Sequence, residues 1–146
     1  MKEPTSTTQR RMHSIMCVDD NAAVVEAVAT KLTRAGGFLW KGALSRADQL
    51  VETCMRDCPD LLILDVDMPG VDAFRALSDL VRRAPNTRAV VFSGHVRRDL
   101  IERSLDAGAW GYVSKNDGED DLVHVLRRVA AGEMALGPEA KRLYDM

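Results

Sequence analysis

The sequence has no excess of basic charge, no apolar run long enough to cross a bilayer, no even set of cysteines, no internal repeat and no low-complexity segment. Lysine and arginine number 20 against 22 acids, for a formal charge of -2, so the electrostatic footprint of a nucleic-acid binder is missing. Direct binding to nucleic acid by this chain is not expected. Three cysteines without a secretion signal exclude a disulfide framework. Cys54 and Cys58 have the spacing of helix neighbours, but no further thiolate or imidazole stands near them to complete a zinc site. Cys17 falls in an apolar run and reads as a small buried hydrophobe. Without a membrane-spanning segment the chain reads as cytoplasmic, with a disordered amino-terminal segment over residues 1–11. A length of 146 residues, 46% hydrophobic and 29% charged, is enough for one domain with a proper core.

What is present is organised around Leu61-Leu62-Ile63-Leu64-Asp65. Four apolar residues, preceded by the turn signal Pro59-Asp60 and cut short by Asp65, Asp67, Pro69 and Gly70, read as a short strand buried on both faces. Ser14 to Val18, Phe38 to Leu44, Ala89 to Phe92 and Gly111 to Val113 have the same character. Between them, apolar residues recur at helical spacing. Asn21 caps the first helix, which Gly36-Gly37 stops. Ser45, with Asp48 at the capping-box position, is expected to cap the second. Asp72 starts a third that ends before Pro85, Arg97 to Ala107 forms a fourth, and Glu119 to Ala131 a fifth. Strands alternating with helices predict an α/β, flavodoxin-like, doubly wound five-stranded parallel sheet in the order 2-1-3-4-5, as a single domain.

That order brings the acids after strands one and three, Asp19, Asp20 and Asp65, to one rim, with Ser93 and Lys115 at the ends of strands four and five. Three carboxylates in one place invite a divalent cation that prefers oxygen, and Mg²⁺ suits them better than Zn²⁺. Asp65 would keep an oxygen free to attack phosphorus, while Ser93 supplies a hydroxyl donor and Lys115 a fixed positive charge for phosphoryl oxygens. Each residue has an ordinary reading too: an aspartate after a strand is often a helix cap, Ser93 a turn residue, Lys115 a solvated side chain. Jointly, acids after strands one and three, a hydroxyl after strand four and a lysine after strand five are much harder to explain that way.

Val18-Asp19-Asp20-Asn21, Leu64-Asp65-Val66-Asp67-Met68-Pro69-Gly70-Val71-Asp72, Val91-Phe92-Ser93-Gly94 and Gly108-Ala109-Trp110-Gly111-Tyr112-Val113-Ser114-Lys115 together resemble the receiver domain of bacterial two-component response regulators. The resemblance covers residues 12–132 and leaves 133–146 as a tail or linker. It implies that Asp65 accepts a phosphoryl group from the histidine of a sensor kinase or phosphotransfer protein. It also implies that Asp20 binds Mg²⁺ directly, Asp19 through water and Asp67 through its backbone carbonyl. Ser93 and Lys115 would contact the phosphoryl group, and Tyr112 would be the rotameric switch, although alone it also fits a fixed edge-strand aromatic. Partners would then read a changed surface near Arg97, Arg98 and Tyr112, and a phosphorylation-dependent homodimer is kept open.

Asp67 and His95, each two residues beyond a rim residue, are expected to tune dephosphorylation. Ala73 replaces a glycine usual in the family. Asn116 replaces a proline that commonly follows the lysine through a cis bond, which leaves the Lys115-Asn116 bond open. Residues Arg128 to Glu139 resemble the end of receivers that feed a helix-turn-helix DNA-binding domain, so the chain is either a stand-alone receiver or part of a longer regulator. Two other function classes compete. A Mg²⁺-dependent aspartyl phosphohydrolase would use Asp67 as its acid or base, and a pseudo-receiver would only bind.

Overall fold

Residues 12–68 and 72–145 are described by the computed structural model. The expected segment 1–11 and the turn residues Pro69, Gly70 and Val71 lie outside the described residues. Strands β1 (His13–Val18), β2 (Phe38–Leu44), β3 (Leu61–Leu64), β4 (Arg88–Ser93) and β5 (Gly111–Ser114) alternate with helices α1 (Ala22–Ala35), α2 (Leu50–Asp57), α3 (Ala73–Arg83), α4 (Arg98–Asp106) and α5 (Glu119–Ala130). All strands pair in parallel, in the order β2-β1-β3-β4-β5-β6.

The sixth strand was not expected. Residues 133–146, read as a tail, continue the pattern through β6 (Ala135–Leu136) and α6 (Pro138–Tyr144). Gly137-Pro138 is a good helix start because proline at the first helical position loses no bond it would have made. β5 is consequently an interior strand, which rules out the edge-strand reading of Tyr112.

Side chains of a strand alternate between faces, and the two buried clusters follow that alternation. Ile15, Cys17, Leu61, Ile63, Val90 and Phe92 pack with Val28 and Leu32 of α1 and Leu122, Val125, Leu126 and Val129 of α5. Met16, Val18, Leu62, Leu64, Ala89 and Val91 pack with Leu50 of α2, Leu77 and Leu80 of α3, Ile101 of α4 and Ala140 of α6. At roughly 1.5–3 kcal/mol per fully buried large apolar side chain, these two layers hold the strand ends at fixed spacing. Cys17 is fully buried as expected, and burial pushes its thiol up to about 12.

Asn21 caps α1 by accepting from the Ala23 and Val24 amides, and Asp72 caps α3 by accepting from those of Phe74 and Arg75. The expected cap of α2 needs correction. The helix starts at Leu50 after Gln49, without a side-chain cap. Asp48 pairs instead with Arg46 at 3.1 Å, and Leu50 closes a turn onto the Ala47 carbonyl at 3.2 Å. Burial of Ala47 and Leu50 shapes this turn more than the polar signal at Ser45 does.

Candidate functional site

The carboxyl ends of β1 and β3 lie side by side, because Val18 pairs with Leu64. The next residues, Asp19 and Asp65, are 3% and 4% exposed, although both carry carboxylates. Asp20 stands exposed beside them, and ligand oxygens of the three lie within 4.8 Å of one another. Among the described residues this is the single cluster of potential metal ligands; Cys54 and Cys58 form none.

The two buried acids are partly compensated. Asp19 accepts the Asn21 amide at 2.9 Å and pairs with Lys115 Nζ at 2.8 Å. Asp65 accepts the Asp67 amide at 2.9 Å and pairs with the same ammonium at 3.3 Å. Burial holds the Asp65 carboxyl above the ordinary carboxylate value, against the lowering effect of the Asp67 amide and Lys115. Burial also works against the Lys115 charge, but the hydrogen bond to Asp19 and the charges of both acids outweigh it and hold the ammonium above its usual value. One cation therefore faces three carboxylates, and the oxygen-only rim keeps a net negative potential.

β4 and β5 deliver the remaining residues. Ser93 is fully buried, donates its hydroxyl hydrogen to Asp67 Oδ2 and accepts the His95 amide at 3.0 Å, with the His95 carbonyl 3.1 Å from the same oxygen. His95 Nδ1 also stands 3.1 Å from Asp67 Oδ2, so Asp67, Ser93 and His95 form one connected group beside Asp65. Tyr112 is fully buried and donates from its hydroxyl to the His95 carbonyl at 2.6 Å. Burial, first of several causes, pushes its phenol up to about 12. α6 lies over this part of β5, with Ala140, Leu136 and Leu143 packed in the cluster that contains Tyr112. The Lys115-Asn116 bond is trans, as are all described peptide bonds. Ser114 Oγ accepts the Asn116 amide at 2.9 Å, closing the turn.

Asp19, Asp20, Asp65, Ser93 and Lys115 thus share one rim, Asp67 and His95 join it through Ser93, and Tyr112 reaches it from the core through the His95 carbonyl. The family described as response regulator receiver domain matches residues 15–127. The chain belongs to that family. The receiver is 32% identical over 123 residues to the nitrate/nitrite response regulator protein NarL of Escherichia coli K12, covering 84% of this chain and 57% of that protein. It is 27% identical to the response regulator GacA of Pseudomonas aeruginosa, covering 88% of this chain and 60% of that one. The chain therefore spans less than two thirds of the length of these curated relatives.

A two-component response regulator of the LuxR family from Aurantimonas sp. SI85-9A1 superposes with a TM-score of 0.87 at 24% identity, over 92% of this chain and 96% of that one. The isolated REC domain of RcsB from Salmonella enterica serovar Typhimurium, solved with phosphomimetic BeF₃⁻, gives a TM-score of 0.84 at 20% identity, over 91% and 99%. Both likenesses are of fold. The receiver elements that the sequence did not reveal are β6 and α6, together with Asp117, whose carboxylate accepts the Ser114 amide at 3.4 Å. Ala135-Leu136 is too short to signal a strand, whereas Gly137-Pro138 was a usable signal for a helix start.

Proposed function

We propose that this receiver is a signalling switch in which Asp65 accepts a phosphoryl group from the phosphohistidine of a sensor kinase or phosphotransfer protein. The observation that carries the reading is a nearly fully buried aspartate, at a strand end, within reach of one lysine and two further acids. An Asp65 oxygen attacks phosphorus, the bond from phosphorus to the donor nitrogen breaks, and the imidazole leaves with the electron pair. Asp65 then carries an acyl phosphate. Lys115 Nζ would hold a phosphoryl oxygen, and Ser93 Oγ would do so by turning its hydroxyl hydrogen away from Asp67.

The rim fits a hard divalent cation. Its donors are all oxygen, three acids oppose one ammonium, and no thiolate or imidazole joins them. Asp20 and Asp65, with Asp19 through water and the Asp67 carbonyl, would hold Mg²⁺. Bound there, the ion would supply neutralisation of the charge gathered on the phosphoryl oxygens. We further propose a cytoplasmic location, consistent with three free cysteines and with the finding that no described helix is long and apolar enough to cross a membrane. The folded unit is taken to run through α6, either alone or ahead of an output domain in a longer regulator.

The test is intact mass after incubation with acetyl phosphate and Mg²⁺. One added phosphoryl group, lost in Asp65→Asn, is the expected result; no adduct, or an equal adduct in the variant, would reject Asp65. The phosphohydrolase reading is weaker because the Asp67 carboxylate, its required acid or base, is already engaged by Ser93 and His95. Steady turnover of simple phosphomonoesters would restore it.

A further inference from the structure

The residues that hold α6 in place lie on the same loop and the same strand as those assigned to the phosphoryl group. Lys115 and Asp117 are two residues apart on the turn after β5, which the Asp117 amide closes onto the Ser114 carbonyl at 3.1 Å. The Asp117 carboxylate lies against the start of α6, with Oδ2 2.7 Å from where a Cβ on Gly137 would stand.

Packing at this point has no slack. A Cβ placed on Gly137 would stand 2.7 Å from Asp117 Oδ2 and 3.3 Å from Val113 Cγ1. The Gly137 amide donates to the Tyr112 carbonyl at 2.9 Å, and Ala140 is fully buried. At the far end, the Arg98 guanidinium stands 5.9 Å from the centre of the Tyr144 ring. The helix thus lies across β5 and α4, tied at its start by Asp117 and along its length to the strand that carries Tyr112.

We propose that α6 is a built-in occupant of the α4–β5 face, coupled through Asp117 and Tyr112 to the rim, and that a phosphoryl group on Asp65 loosens it. The proposal rests on the reading of Asp65 as the acceptor. A phosphoryl group draws Lys115 from Asp19 and draws Ser93 from the His95 carbonyl. The first shift is passed along two residues to Asp117. The second alters the carbonyl to which the Tyr112 hydroxyl donates, and Tyr112 packs beneath α6. Close-packed contacts hold or let go rather than stretch, so a helix complementary to the present arrangement loses contact when either tie moves. Coupling is reciprocal: loosening α6 must strengthen binding of a phosphoryl mimic at Asp65.

The test is amide hydrogen exchange on the whole chain with Mg²⁺, with and without fluoroberyllate, on the parent, Asp117→Ala, Asp117→Asn and Tyr144→Ala, beside intact mass after acetyl phosphate. In the parent, fluoroberyllate should speed exchange over residues 139–145 by about tenfold or more while leaving α2 unchanged. Asp117→Ala should show that fast exchange without ligand and bind fluoroberyllate about fivefold or more tightly. Asp117→Asn, which keeps an acceptor oxygen, should stay close to the parent. Tyr144→Ala loosens the other end at a partly exposed position and should also tighten fluoroberyllate binding, so the coupling can be read even where Asp117→Ala does not fold. Unchanged exchange of α6 in a parent that does gain phosphoryl mass overturns the proposal, as does parental fluoroberyllate affinity in the loosened variants. Absence of any mass gain or fluoroberyllate binding identifies the acceptor reading as the part that failed, and the coupling falls with it.

Discussion

Replacing Lys115 with methionine should cost the fold about 2–3 kcal/mol near neutral pH, and less in acid. Lys115 Nζ lies 2.8 Å from Asp19 and 3.3 Å from Asp65, whose side chains are only 2% and 5% exposed. Methionine keeps most of the volume of the stem and removes the charge, so loss of pairing dominates over loss of packing. Breaking a fully buried pair from one side costs ~3–5 kcal/mol. Lys115 is itself 22% exposed, and solvent screening on that side lowers the expected cost to about 2–3 kcal/mol. With a urea slope of ~1–3 kcal/mol per molar, the unfolding midpoint should fall by about 1–2 M.

The pH dependence has a definite sign. Burial holds Asp65 above its ordinary value of 3.8, so the folded chain binds this proton more tightly than the unfolded chain does. Protonated Asp65 therefore contributes stability that is full below 3.8 and is lost as pH rises through the raised folded value. Removing Lys115 deletes a lowering influence and moves that window upward. The deficit of the variant should thus be largest near neutrality and shrink on acidification. Urea unfolding followed by circular dichroism at about pH 7 and about pH 5 measures both effects. A midpoint within roughly 0.3 M of the parent near neutrality, or a deficit that grows in acid, would refute the reasoning.

Mg²⁺ affinity should fall by about tenfold or more in Asp20→Asn and Asp65→Asn, and by less in Asp19→Asn, which would hold the ion only through water; unchanged affinity in Asp20→Asn by titration would contradict this. Gly111→Ala should lower the melting temperature by roughly 3–8 °C, since its Cβ would stand 2.6 Å from the Ala135 carbonyl oxygen and 3.2 Å from Val125 Cγ1. A scanning calorimetry trace matching the parent would show that β6 yields without cost. Asp67→Ala and His95→Ala should each still accept a phosphoryl group but change its lifetime by about tenfold or more, as positioned acid-base groups do. Decay within twofold of the parent for both, once donor is removed, would reject a tuning role for the pair.

The order of elements was legible because each rests on local periodicity. Leu61 to Leu64 can be buried on both faces only as an interior strand, and the spacing of Val24, Val28 and Leu32 has one helical solution. Asp19, Asp20, Asp65, Ser93 and Lys115 were legible for a related reason. A polar residue at the carboxyl end of an interior strand has few structural duties, and parallel pairing sends all such ends to the same rim. The cap of α2 was misplaced because a local polar signal at Ser45 was outweighed by burial of Ala47 and Leu50, which depends on the sheet beneath them.

Other features belong to the tertiary structure alone. β6 is two residues long and exists because β5 offers it a pairing edge, with Gly111 opposite Ala135. The burial of Tyr112 was decided by α6, a helix packed against a strand that is distant from it in sequence, so no local pattern at Gly111-Tyr112-Val113 could announce it. The same holds for the charges. Sequence spacing indicates that acids and a lysine share a rim, but it does not say that one ammonium reaches both Asp19 and Asp65, or that Asp67 is turned toward Ser93 and His95. Hydrogen bonds and ion pairs are directional and act over a few ångströms, so their partners are chosen only once packing has set the distances between strand ends.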